Sequence, residues 1–140
     1  MKIFITGVAG FLGSHLAERM LNIGHDVYGN DNLIGGDLEN VNKKIKFFKT
    51  DCNDLDGMVK ITKDCDIVYH CAATAHEGLS VFSPHIITNN IFQASVSVIT
   101  AAIKNKVKRF IYCSSMARYG SQKPPFTEEM NPSPEDPYAV

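Results

Sequence analysis

Three glycines and one carboxylate carry the clearest chemistry in the sequence. "TGVAGFLGSH" runs from Thr6 to His15, with Gly7, Gly10 and Gly13 spaced GxxGxxG after an apolar run and at the start of a helical pattern. Small residues there suit a pyrophosphate. Gly7 allows the tight turn, Gly10 lets backbone approach the phosphates, and Gly13 lets the helix pack close to the strand. The helix N-terminus then offers free N–H groups and a partial positive charge. Asp31 follows Gly13 by 18 residues, at the end of a second strand pattern. A carboxylate there can accept hydrogen bonds from the ribose hydroxyls of a dinucleotide, and it repels a 2′-phosphate. Asn32 and Leu33 come next, with no Arg, so the pattern favours NAD over NADP.

These residues need a scaffold, and the chain alternates between strand and helix patterns. Strand-like runs cover residues 2–6, 26–30, 44–50, 66–73 and 107–115; helical spacing covers 11–24, 55–62 and 85–105. Strands separated by helices predict βαβ units and a buried parallel sheet. Right-handed crossovers then give a Rossmann-type doubly wound α/β fold, three layers in αβα order. In the long helix, at about 100° per residue, Ile87, Ile91, Val98 and Ala102 share one line and Phe92, Val96, Ile99 and Ile103 a second. Either the two lines make one broad core face, or the helix is shared between the core and a dimer interface. From Ser121 the chain carries five of its six prolines and reads as a loop leading into Tyr138.

The whole chain bounds what such a scaffold can be. Its 140 residues suffice for one domain with a core. A net charge of −1 gives no electrostatic case for nucleic acid or an anionic membrane. The "KNKVKR" run reads as a solvated helix end. Cys52, Cys65, Cys71 and Cys113 form no CxxC pair and have no His at zinc-finger spacing, which predicts a reduced, cytoplasmic protein without structural metal. The first apolar run is too short for a signal peptide, and no stretch is expected to approach a membrane span. His15 and His25 read as packing or surface residues, and His70 as a core histidine. Ser114 reads as structural and Tyr119 as packing. His76, Glu77, Ser80 and Ser83 fall in a loop where substrate contact is an alternative to solvent.

TGxxGFLGSHL differs from the plain dinucleotide fingerprint and resembles the extended short-chain dehydrogenase/reductase family. Within it, the chain is similar to the NAD-dependent nucleotide-sugar epimerases and dehydratases of the UDP-glucose 4-epimerase kind. "DNL" (Asp31, Asn32, Leu33) resembles that family's ribose-binding segment, and "TDCND" its adenine-contacting turn, with Asp51 toward the amino group and Cys52 beside it. Phe11 and Leu12 belong to the phosphate loop. "HCAAT" resembles the HxAA stretch whose backbone lines the cofactor, implying Cys71, Ala72, Ala73 and Thr74; "NNI" implies Asn90. "FIYCSSMARYG" resembles SSxxVYG and puts Ser115 at the catalytic Ser. "DPYAV" resembles the start of PYxxSK and makes Tyr138 the catalytic Tyr. His76, Glu77 and Met116 are then candidate substrate contacts.

The resemblance runs from Lys2 to Val140. Arg118 stands where the family has an apolar or small residue, Met116 and Ala117 vary a substrate-side loop, and Ala75 and His76 replace a cofactor-touching Lys of some epimerases. In this family a Tyr phenolate takes a proton from a sugar hydroxyl while hydride passes to NAD, and the Ser orients the same oxygen. A free phenol ionises at roughly pH 10, and the family eases this with a Lys one helical turn on. Here that Lys would be position 142. The expectation is therefore an N-terminal portion: 1–140 as an incomplete, C-terminally truncated NAD(P)-binding Rossmann domain, lacking the Lys and the substrate lobe and inactive alone. The full-length enzyme would be a homodimer acting on a nucleotide sugar, a UDP-sugar first. The alternatives are a non-catalytic NAD-sensing module, which has no need of Ser115 and Tyr138, and a reductase of a non-sugar carbonyl, against which Asp31 speaks.

Overall fold

The computed structural model describes all residues, Met1–Val140. Five strands, β1 (Lys2–Thr6), β2 (Asp26–Asp31), β3 (Lys46–Lys49), β4 (Ile67–His70) and β5 (Arg109–Tyr112), form one sheet in the order β3-β2-β1-β4-β5. Every pairing is parallel. This is the expected doubly wound Rossmann-type α/β fold. The order reverses at β1, so the crevice outside the carboxyl ends of β1 and β4 is the switch point where such sheets take ligands.

Alternation along β1 builds the two faces. Ile3 and Ile5 pack with Val8, Ala17 and Val27 under α1 (Phe11–Asn22). Phe4 points the other way, with Val68, Met58, Val98 and Ala101, under α2 (Leu55–Ile61) and α5 (Ala94–Lys104). Burying a side chain such as Phe4 fully contributes roughly 1.5–3 kcal/mol, so a strand buried on both faces is the anchor of the sheet. α1 ends two residues earlier than its pattern suggests. Gly24 takes φ +85°, and the N–H groups of Gly24 and His25 close onto the carbonyls of Leu21 and Met20.

Strands β3, β4 and β5 are shorter than their apolar runs. Past His70, the N–H groups of Cys71 and Ala72 leave the ladder and bond the Thr6 hydroxyl instead, each at 3.1 Å. Two short helices, α3 (Glu77–Ser80) and α4 (Pro84–Thr88), precede α5. A wide, π-type turn at Asn89–Gln93 joins α4 to α5, so Pro84–Lys104 is one continuous helix. This helix is long and apolar enough by length and composition to cross a membrane, contrary to the sequence expectation. One side of it faces the core, where Ile87, Ala94, Val98, Ala101 and Ala102 are inside. The second line is not. Phe92 is 58% exposed and Ile103 71%, with Val96 and Ile99 at 41% each, so one broad core face is excluded.

Candidate active site

The glycine turn is built by sterics. Gly7 has φ +67°, and a Cβ on it would meet the Ala72 backbone at 2.8 Å. A Cβ on Gly13 would lie 2.1 Å from the Gly7 carbonyl oxygen, so α1 seats directly on the turn. Gly10 differs: its Cβ would meet only the Gly7 oxygen, at 3.3 Å, and internal packing barely demands a glycine there. The demand lies on the outer side. Gly10 is the N-cap of α1, with no side-chain cap and no acidic residue in the first turn. The amides of Phe11, Leu12 and Gly13 have no partner inside the chain. An open hollow of about 490 Å³ lies here, lined by Ala9, Gly10, Phe11, Ser14 and His15 on one side and residues 34–37 and Asn40 on the other.

Asp31 ends β2 beside this turn, 7% exposed. Its Oδ2 accepts the Ala9 N–H at 3.1 Å and its Oδ1 the Leu33 N–H at 2.8 Å. A carboxylate offers about four acceptor sites, so both oxygens retain capacity for a ligand hydroxyl. Leu33 has φ +65°, a left-handed backbone that a leucine rarely adopts, held by that bond. Asn32 donates to Asp51 Oδ2 at 2.8 Å, and the Asn53 N–H bonds Oδ1 at 2.8 Å. Burial raises the Asp51 pKa, but hydrogen bonds from Asn32 and Asn53 outweigh it and hold the carboxyl below its ordinary value. Cys52, expected beside the adenine, turns its side chain into the core; burial pushes its thiol up to about 11, so only its backbone can face a ligand.

At the switch point the polar groups form a directed chain. Thr6 Oγ1 accepts the N–H groups of Cys71 and Ala72, so its own proton goes to His70 Nδ1, 2.7 Å away. With Nδ1 accepting, Nε2 carries the ring proton and gives it to Ser95 Oγ at 2.9 Å. Ser95 in turn donates to the Ile91 carbonyl at 2.6 Å, inside the π-type turn. Burial lowers the His70 pKa to about 4, in keeping with a neutral ring. His70 is thus a core histidine, as its strand position suggests, and also the link between strand end and helix. Asn90 reaches back to Thr74 Oγ1 at 3.1 Å.

Ser115 follows β5 at the same sheet edge and borders a second hollow, about 450 Å³, with Ser114, Met116, Arg118, Tyr119 and Glu128. Its Oγ accepts the Ala117 N–H at 3.2 Å, which leaves the hydroxyl proton free to donate. The Pro-rich segment is pinned to this turn: Ser133 N–H bonds the Arg118 carbonyl at 2.7 Å, Ser121 bonds Glu135, and Phe126 stacks on Tyr119 with centroids 5.1 Å apart. Tyr138 sits in a turn whose N–H groups, from Tyr138 and Ala139, both bond Asp136 Oδ1. Ser80 is fully buried and bonds the same Asp136 oxygen at 3.3 Å, a structural role. Ser115 and Tyr138 share no hydrogen bond. His76 and Glu77 are exposed, and Ala73 lines the open edge.

Several participants escaped the sequence reading. Ala9 is the hub, receiving Asp37 N–H and Asn40 Nδ2 on its carbonyl, each at 3.0 Å. Ser95 completes the His70 chain. The Gly35-Gly36 pair was the one available signal for the 34–40 loop: a Cβ on Gly36 would lie 2.9 Å from both Ala9 and Asp31.

Comparisons with known proteins bear on the family and the fold. Residues 3–140 match a model of the NAD dependent epimerase/dehydratase family. A UDP-glucose 4-epimerase of Lactobacillus helveticus is 34% identical over 99% of this chain, which covers 43% of that protein. The crystal structure of a Thermotoga maritima UDP-glucose 4-epimerase with UDP-glucose superposes with TM-score 0.95 at 33% identity, over 99% of this chain and 47% of that one. A Thermus thermophilus UDP-glucose 4-epimerase in complex with NAD gives 0.93 at 30% identity, over 99% and 46%. The chain thus spans less than half the length of each.

Proposed function

The chain belongs to the NAD-dependent epimerase/dehydratase family, and on that footing we propose that residues 1–140 are the cofactor-binding part of a nucleotide-sugar epimerase, with UDP-sugars as the substrate class. One observation carries the reading. The amides of Phe11, Leu12 and Gly13 at the start of α1 have no partner inside the chain, and they follow a glycine, Gly10, that packing within the fold demands far less than Gly7 or Gly13.

The residues present fit NAD. The amides of Phe11, Leu12 and Gly13 would hold the pyrophosphate. Asp31, with Asn32 and Leu33 beside it, would take the adenosine ribose, its charge disfavouring a 2′-phosphate. Asp51 and the Cys52 backbone would face the adenine, and Cys71, Ala72, Ala73, Thr74 and Asn90 would line the rest of the switch point. When bound, the dinucleotide supplies the hydride acceptor and donor. Tyr138 takes and returns the proton of a sugar hydroxyl, Ser115 gives its free hydroxyl proton to the same oxygen, and Asp136 fixes the turn that presents Tyr138. His76, Glu77 and Met116 contact the sugar side.

Residues 1–140 tested alone are expected to bind NAD without turning over sugar, since they hold no lysine one turn beyond Tyr138. In the whole enzyme the exposed line Phe92–Val96–Ile99–Ile103 packs on a second copy. Calorimetric titration with NAD and NADP tests the cofactor reading; tighter binding of NADP, or of neither, overturns it. Measurable sugar turnover by residues 1–140 would overturn the second statement.

A further inference from the structure

Cys71 and Cys113 stand side by side where β4 and β5 end, their sulfurs 3.6 Å apart. They directly follow the last paired residues of the two strands, His70 and Tyr112. Adjacent strands lie about 4.8 Å apart, within the Cα separation that disulfides accept. Cys113 is exposed and Cys71 half-buried, and no disulfide joins them. The Cys71 backbone is anchored through its N–H to Thr6 and the Cys113 backbone through its N–H to the His70 carbonyl at 3.2 Å, so the facing arrangement is held from both sides. Cys52 and Cys65 lie in the core and form no such pair.

We propose that Cys71 and Cys113 form a redox-active dithiol that closes to an intramolecular disulfide with a peroxide-class oxidant. The sulfurs need to approach to about 2.05 Å, by rotation of the two side chains on their held backbones. Cys113, the accessible member, attacks as its thiolate: the Cys113 sulfur bonds one peroxide oxygen, the O–O bond breaks, and the leaving hydroxide takes a proton to become water. The resulting sulfenic acid is then attacked by Cys71 Sγ. The S–S bond forms, the S–O bond breaks, and the departing hydroxide takes the Cys71 proton. Two thiols and one peroxide become one disulfide and two waters. Burial, together with the neighbouring Cys113, pushes the Cys71 thiol up to about 12 and keeps it from meeting oxidant first; its part in the second step rests on its place 3.6 Å from Cys113.

The test is peroxide titration of the 140-residue chain, followed by alkylation under denaturing conditions and non-reducing peptide mapping. This needs no nucleotide and stands apart from the cofactor reading. The expected result is loss of two of the four free thiols, one Cys71–Cys113 cross-linked peptide, and full recovery with dithiothreitol. Cys71→Ser is expected to leave Cys113 unprotected, so that it runs on to sulfinic acid that dithiothreitol does not reverse. Sulfinic acid at Cys113 in the unsubstituted chain, a cross-link between two chains, or four thiols still free would each overturn the proposal. The mapping of the unsubstituted chain decides the matter even if Cys71→Ser does not fold.

Discussion

The Asp31 carboxylate receives the backbone N–H of Ala9 at 3.1 Å, across 22 residues of sequence. That bond ties the acid proposed for the ribose to the turn proposed for the phosphates. Its other oxygen holds Leu33 in a left-handed backbone.

Asp31→Asn is therefore expected to act twice. An amide has one acceptor oxygen, so its NH₂ must face the N–H of Ala9 or of Leu33. Leaving a buried donor unpaired costs about 1–3 kcal/mol. The midpoint of urea unfolding should fall accordingly, and the NAD dissociation constant should rise at least about tenfold. An unchanged affinity for NAD removes Asp31 from the cofactor site.

Gly13→Ala and Gly10→Ala should separate. The Gly13 methyl would collide with the Gly7 carbonyl at 2.1 Å, backbone against backbone, and α1 has to lift. Overpacking of this kind costs about 3 kcal/mol, or roughly 10 °C in melting temperature. Gly10→Ala meets that oxygen only at 3.3 Å. Its melting temperature should stay within about 2 °C, while NAD binding weakens at least about tenfold. Equal thermal losses in the two variants would refute the division.

His70 makes stability depend on pH. Its pKa is lowered by burial from 6.5 to about 4 in the folded chain, so the unfolded chain binds more protons between those values. Stability is complete above pH 6.5 and is lost as pH falls toward 4, by about 3 kcal/mol in all. Asp51, held below its ordinary value, weakens the fold only at still lower pH. Urea unfolding at pH 6.5 and 4.5 should show the drop, and His70→Gln should flatten it. Identical pH slopes in the two chains count against this role.

The exposed apolar line predicts self-association. Phe92→Lys with Val96→Lys should shift sedimentation toward monomer at high concentration and leave the melting temperature within about 2 °C. A chain that stays monomeric before substitution contradicts the packing proposed for this face.

Much of this was legible where the cause is local. Gly13 is a glycine because of the Gly7 carbonyl inside its own motif, Gly7 takes the positive φ of its own turn although the distant Ala72 backbone also crowds it, and Gly24 stops α1 by its own backbone. The alternation Ile3–Phe4–Ile5 announces a strand buried on both sides. Asp31 was legible as an acid after β2 but not as the anchor of Ala9, because that depends on how the 34–40 loop folds back. The line through Ile87, Ile91 and Val98 assumed one helical period. The wide turn at Asn89–Gln93 adds a residue and makes Ala94, not Ile91, fully buried. Cys52 was assigned by resemblance alone, and its side chain obeys its apolar neighbours.

The chain from Thr6 through His70 and Ser95 to Ile91 has a polarity that cannot be reversed. It begins at two peptide N–H groups, Cys71 and Ala72, which can only give, and ends at a carbonyl, Ile91, which can only receive. Every hydroxyl and the imidazole between them has its orientation dictated from both ends. Such a chain opens as one unit or not at all. The amides of Cys71 and Ala72 should therefore show the same opening free energy in hydrogen exchange, set by one opening that frees the strand end and the helix turn together.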